Sequence, residues 1–220
     1  MNSPPVIAVT QRVEVIASYD ERRDALDQRW SKFAKELGAI ALPLPNVPID
    51  QAHDLLSAVS PRMIVLSGGN SISSHTPDAP DAAPERDMFE GRLLELAGAE
   101  QLPVVGVCRG LQMINTWFGG GLSPIENHAG SRHNITQNAD SAEFPTNVNS
   151  YHNWAIAPED LAPDLTPLAW DDAGNIEAFR HSTQNVTAIM WHPEREQEPH
   201  PLDLELFAQA LATSETKTQP

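Results

Sequence analysis

The sequence contains a single cysteine, Cys108, among 220 residues, so no internal disulfide can form and a multi-cysteine zinc cluster is ruled out. That usage fits a reducing compartment, and a cytoplasmic location is expected. Positive charge is scarce: 14 Lys and Arg stand against 30 Asp and Glu, a formal net charge of -16. Such a field repels phosphate backbones at long range and argues against nucleic acid as a partner. Long hydrophobic runs are missing too. No apolar stretch is long enough to span a bilayer and none follows a basic start, so neither a membrane span nor a leader is expected. What is present is 40% hydrophobic residues, enough for one full-sized core. With no repeat, low-complexity block or linker, one domain is expected over residues 1–213, followed by a disordered polar tail over 214–220.

Apolar runs alternate with helical periodicities. Val6–Val9, Ile40–Leu44, Met63–Leu66 and Val104–Val107 read as buried strands. Leu26, Trp30, Phe33 and Leu37 recur at helical spacing before Gly38, a helix stop. A second helix, capped by Asp50, carries Leu55 and Leu56; a third carries Phe89, Leu93 and Leu96; Leu111–Phe118 makes a fourth. This alternation predicts an α/β fold built on a doubly wound, mostly parallel sheet. The second half is less regular. Residues 119–149 read as loops and short strands, and Leu168–Trp170 with Ile176–Phe179 as a hairpin about Asp171–Asn175. A strand over Val186–Trp191 runs into His192, and Leu204, Phe207 and Leu211 mark a last helix.

The chemistry concentrates in Gly106-Val107-Cys108-Arg109-Gly110-Leu111-Gln112. A nucleophile on a sharp strand-to-helix turn needs small neighbours where the backbone folds back, and Gly106 and Gly110 supply them. Cys108 then sits at a parallel strand's carboxyl end and at a helix N-terminus, which favours a thiolate. The Arg109 amide is left to stabilise an oxyanion. A thiol needs a base and an orienter, and His192-Pro193-Glu194 offers both. Residues two apart on extended backbone face the same way, which lets Glu194 reach the imidazole. Ser67-Gly68-Gly69 follows a buried strand and offers a second oxyanion donor. His128, His133 and His152 show no i, i+4 pair, so loop and pocket roles are expected for them and no metal.

At these residues the chain resembles the class I glutamine amidotransferase-like superfamily and, within it, γ-glutamyl hydrolases of the peptidase C26 type. The matching segments are Leu66–Asn70, Pro84–Asp87 with Glu90, Pro103–Gln112, Gly119–Leu122, Val148–His152 and Trp191–Glu194. The resemblance implies a flavodoxin-like sheet and a γ-glutamyl-thioester mechanism. In it Cys108, His192 and Glu194 form a triad, Gly69 and Arg109 donate to the oxyanion, and no cofactor takes part. It also implies that Gln112 contacts the γ-glutamyl group and that Ser150 and Tyr151 lie near its α-carboxylate. His152-Asn153-Trp154 departs from the His-His-Gln run common among γ-glutamyl-γ-aminobutyrate hydrolases. The stretch from Thr10 through Trp30 is instead similar to the γ-glutamyl-CDP-amidate hydrolase subgroup, which acts in capsule-sugar modification. Arg12, Arg22, Arg23 and Arg29 are then candidates to meet a phosphorylated leaving group, Arg12 foremost because it lies just beyond a strand's carboxyl end. Arg22 and Arg23 suit pairing with nearby acids on a solvated helix face. The alternatives are a γ-glutamyl-γ-aminobutyrate-type hydrolase, a glutaminase subunit feeding a separate synthase, a non-catalytic module and a DJ-1-like chaperone or deglycase. Intact Cys108, His192 and Glu194 disfavour the module, and the His-Pro-Glu end with Gln112 disfavours the last. Oligomeric state is not legible.

Overall fold

In the first strand, β1 (Val6–Thr10), Ile7 and Val9 face one side and Ala8 the other, and all three are buried. In the computed structural model residues 3–138 and 143–213 are described, and the expected tail over 214–220 lies outside them. After β1 the chain makes an unexpected hairpin of β2 (Arg12–Ile16) and β3 (Glu21–Ala25). Helix α1 (Arg29–Glu36) and β4 (Ile40–Leu44) follow. Next come α2 (Ala52–Val59), β5 (Met63–Leu66), α3 (Pro84–Glu100), β6 (Val104–Val107) and α4 (Arg109–Trp117). Beyond these lie β7 (Ser123–Pro124), β8 (Ser131–Gln137), β9 (Asn147–Ser150) and β10 (Trp154–Ala155). The chain closes with β11 (Leu165–Asp171), β12 (Ile176–His181), β13 (Val186–Ile189) and α5 (Pro201–Thr213).

Nine strands form one sheet in the order β4-β1-β5-β6-β13-β12-β11-β8-β9. The first five are parallel, and β13 onward pair antiparallel. Period-two alternation divides the core between the two faces. Ala8, Ile64, Leu66 and Val104 pack with Phe89, Leu93 and Ile114 on one side. Ile7, Val9, Val65, Val105 and Val107 pack with Trp30, Phe33 and Phe207 on the other. Burial on both faces is why these strands read as unbroken apolar runs. Phe33 anchors the second layer edge-on to Phe207, with centroids 4.8 Å apart, and truncating it to Ala removes about 3–5 kcal/mol.

The expected mostly parallel sheet, the stop at Gly38 (φ +65°) and the β11–β12 hairpin are all present. Three local expectations fail. The first helix begins at Arg29, not near Leu26, because the hairpin occupies the preceding residues. Val13, Val15 and Ile16 favour extended backbone, and Asp20 at φ +51° turns the chain, so Arg22 and Arg23 stand on a strand rather than a helix. Asp50 does not cap α2; it lies in a 3-10 turn over Ile49–Gln51, and Gln51 occupies the cap position. Residues 119–149 also hold a longer element than expected, the seven-residue β8, which joins the main sheet.

Candidate active site

Cys108 is the residue between β6 and α4, at φ +53°, ψ -106°, a left-handed-side conformation that strains any side-chain-bearing residue. The glycines on either side explain how the turn closes. A Cβ at Gly110 would stand 2.0 Å from the Leu66 carbonyl oxygen of the neighbouring strand, and one at Gly106 would stand 2.6 Å from Ile114 Cδ1. The Cys108 amide is committed to the Ile189 carbonyl at 2.9 Å. An oxyanion must therefore use other donors. The Arg109 amide lies in the first turn of α4, whose N–H groups have no intrahelical acceptor. Gly69, at φ +86°, borders the same cavity as Cys108 and Arg109, a space of about 200 Å³.

His192 ends the segment after β13, and a 3-10 turn over Pro193–Arg195 brings Glu194 back to it. Both side chains are buried, and His192 Nδ1 lies 2.7 Å from Glu194 Oε1. With Nδ1–H donating to the carboxylate, Nε2 is left for the Cys108 sulfur. Burial opposes protonation of His192. The charge of Cys108, its hydrogen bond and Glu194 outweigh that and hold the imidazolium up to about 9. Asn149 clamps the backbone here: its Oδ1 accepts from the His192 amide at 2.9 Å, and its Nδ2 donates to the His192 carbonyl at 2.8 Å. Gly68 has to be glycine, since a Cβ would lie 2.6 Å from His192 Cε1.

A buried charge network supports the elbow and the glycine loop together. Arg86 Nε donates to Glu90 at 2.9 Å, while its other nitrogens donate to the carbonyls of Ser67 (2.7 Å) and Gly69 (2.6 Å). Arg109 pairs with Glu90 and Asp87, and Thr10 donates to Glu90 at 2.7 Å. Burial lowers Arg86 to about 10, with Arg109 adding to the shift. Burial pushes Glu90 up, yet Arg109 and Arg86 outweigh it and hold the carboxyl below its usual value. Arg86, Glu90 and Asn149 were not singled out from sequence for these roles. One signal for the first two was available: Arg86 and Glu90 share the helical face of Leu93 and Ala97, which is buried.

The remaining expected residues divide. Gln112 borders the Cys108 cavity, and its Nε2 donates to the Trp154 carbonyl at 2.9 Å. Tyr151 borders it too, with its ring edge-on to His192 at 5.6 Å and the Arg195 guanidinium 4.4 Å over it. Ser150 is fully buried on β9 and is not among that cavity's lining residues. Arg12 lies in a neighbouring cavity of about 200 Å³ with Trp30, Gly68, His192 and Glu194. It is half exposed and paired with Glu14. Arg23 pairs with Glu21, but Arg22 reaches Glu85 at the start of α3 instead of a neighbour in sequence.

Residues 5–194 match the profile of the Peptidase C26 family. A γ-glutamyl-CDP-amidate hydrolase of Campylobacter jejuni is 39% identical over 194 residues, covering 86% of this chain and 90% of that protein. A glutamine amidotransferase-like protein of Lactococcus lactis is 30% identical over 204 residues, covering 82% and 85%. Among solved structures, a glutamine amidotransferase of Thermotoga maritima superposes with a TM-score of 0.62 at 16% identity, covering 98% of this chain and 86% of that one. A GMP synthase component of Thermoplasma acidophilum superposes with a TM-score of 0.73 at 20% identity, covering 98% of each chain. Both likenesses concern the fold.

Proposed function

The chain belongs to the peptidase C26 family and is an amide hydrolase, and on that premise we propose that it cleaves γ-glutamyl amides through a thioester on Cys108. The observation that carries the mechanism is the buried His192–Glu194 contact of 2.7 Å, set against a cysteine at positive φ at the head of α4. The Cys108 sulfur attacks the γ-carbonyl carbon, and the oxygen's developing charge rests on the amides of Gly69 and Arg109. As the C–N bond breaks, His192 Nε2–H gives its proton to the leaving nitrogen. His192 then takes a proton from water, which attacks the thioester and frees glutamate and the thiolate. Glu194 keeps the imidazole in one tautomer throughout. Gln112 and Tyr151, on the wall of the Cys108 cavity, contact the glutamyl group.

For the substrate, we infer γ-glutamyl-CDP-amidate, released as glutamate and a cytidine diphosphoramidate, as in capsule-sugar modification. Identity of 39% to a hydrolase of that name supports this choice, as does Arg12 in the cavity adjoining His192. A guanidinium there suits a diphosphate. The test is glutamate release from glutamine, γ-glutamyl-γ-aminobutyrate, γ-glutamyl anilide and γ-glutamyl-CDP-amidate. Strong preference for the nucleotide amidate is expected. Preference for the simple amines would return the chain to γ-glutamyl-amine hydrolysis. Silence on all four, relieved by a synthase, would make it a glutaminase subunit.

A further inference from the structure

Away from Cys108, three of the histidines converge on one carboxylate. Glu177, on β12, is 1% exposed, and neither of its oxygens has a hydrogen-bond partner among the described residues. His133 Nε2, from β8, lies 3.4 Å from Glu177 Oε2, and His152 Nε2 lies 3.8 Å from Oε1. The His128 ring stands 4.9 Å from that of His133 and 5.1 Å from that of His152. One ligand atom each from His128, His133 and Glu177 falls within 4.8 Å of the others. His128 Nδ1, His133 Nδ1 and Nε2, and His152 Nε2 are likewise buried and without hydrogen-bond partners among the described residues. So many unsatisfied polar atoms in one place cost heavily unless something sits among them.

We propose that His128, His133 and Glu177 bind one divalent transition-metal ion of the zinc type, and that His152, outside that three-residue cluster but 3.8 Å from the other Glu177 oxygen, moves in as the fourth ligand. One separation favours this. The 3.4 Å between His133 Nε2 and Glu177 Oε2 is long for a hydrogen bond but close to the edge of a tetrahedron whose ligands sit about 2.1 Å from its centre. Tautomer agrees as well. His152 Nδ1 lies 2.9 Å from the Trp154 carbonyl, so that nitrogen carries the proton and Nε2 points a lone pair at a carboxylate. Two acceptors facing each other repel, and a cation between them removes the repulsion. Imidazole nitrogens with one carboxylate select zinc and its neighbours over magnesium or calcium. Asp171 Oδ2, 3.9 Å from His128 Nε2, adds a second negative charge behind the ligands. Its own turn is already satisfied by the amides of Ala173 and Asn175.

The ion has a structural consequence for the hydrolytic pocket. The Trp154 carbonyl accepts from both His152 and Gln112 Nε2, and Gln112 and His152 border the Cys108 cavity. Binding therefore fixes one wall of that cavity to β8 and β12 without placing the metal at the reacting bond.

The test is metal content after chelation, reloading with Zn²⁺ and removal of the excess. About one zinc per chain is expected in the wild type and in Cys108→Ser, with loss in His133→Gln/Glu177→Gln. Chelation should also lower the wild-type melting temperature, reversibly on adding Zn²⁺. Should the double variant fail to fold, Co²⁺ added to chelated wild type decides. Visible tetrahedral d–d bands with no thiolate-to-metal charge transfer are expected. Wild type that holds no zinc, zinc lost with Cys108→Ser, or a thiolate charge-transfer band would overturn the proposal.

Discussion

The parallel strands β4, β1, β5, β6 and β13 and the antiparallel strands β12, β11, β8 and β9 belong to one sheet but hold polar groups in different ways. In the parallel half the charged groups near Cys108 are paired at short range: Arg86, Glu90, Arg109 and Asp87 neutralise one another and Glu194 holds His192, leaving Arg109 Nε and Glu194 Oε2 without partners among the described residues. In the antiparallel half His133 and His152 approach the buried Glu177 only at 3.4 and 3.8 Å, and neither Glu177 oxygen has a hydrogen-bond partner among the described residues. The contrast shows that burial alone does not identify a site's chemistry; how closely the charged groups are paired does. A closely paired network positions a reactive group, whereas a loosely paired one has room and valence for a ligand.

The largest effect that could break this contrast is at the nucleophile. Cys108→Ala should lower turnover by about 10⁴-fold or more while the melting temperature stays close to wild type. Substantial remaining hydrolysis would remove Cys108 from the chemistry. Next come two glycines, one in each half. Gly110→Ala drives a methyl into the Leu66 carbonyl and should destabilise by more than about 4 kcal/mol or prevent folding. Gly174→Ala, in the β11–β12 turn at φ +90° with nothing within 4 Å, should cost only about 1–2 kcal/mol. Equal losses in thermal melts would erase the difference in tightness.

A smaller, pH-dependent effect is expected below the parallel half. Burial pushes the Asp203 carboxyl up to about 7, against the Trp191 indole N–H at 2.9 Å, which favours the anion. Between the ordinary value of 3.8 and about 7 the folded state keeps a proton that the unfolded chain loses. Stability from this group therefore falls as pH rises through that window. Asp203→Asn should gain stability relative to wild type as pH rises from about 4 to about 8, measured by denaturant midpoints at fixed salt. A difference constant across that range would contradict the assignment. The smallest effect belongs to Arg12→Ala. Its exposed pair with Glu14 should change stability by less than about 1 kcal/mol. KM should rise chiefly for the nucleotide amidate, and an equal rise for glutamine would place Arg12 outside the leaving-group site.

The same division governs what the sequence makes legible. The elbow is a local arrangement, with strand, tight turn and helix within a dozen residues, so Gly106, Cys108 and Gly110 declare it without tertiary information. His192 and Glu194 are equally local, two residues apart. The β2–β3 hairpin is harder to read, because only Val13 of its ten residues is fully buried and its charged strand offers no apolar period. β8 is obscure for a related reason: in Ser131–Gln137 only Ile135 is buried, and its place depends on pairing with β9 and β11. His128, His133, His152 and Glu177 meet through that pairing, which helical i, i+4 spacing cannot detect. The Arg86–Glu90–Arg109 network needs the packing of α3 on α4, although two charges on an apolar helical face already hint at it.

The mechanism stands or falls on the proposed thioester at Cys108. Acid quench during turnover of γ-glutamyl-CDP-amidate, followed by intact mass and peptide mapping, would trap it. A γ-glutamyl adduct is expected that maps to Cys108, accumulates in wild type and is missing from Cys108→Ala. Turnover that continues with no adduct, and that survives alkylation of Cys108, would show that hydrolysis proceeds without this thiol.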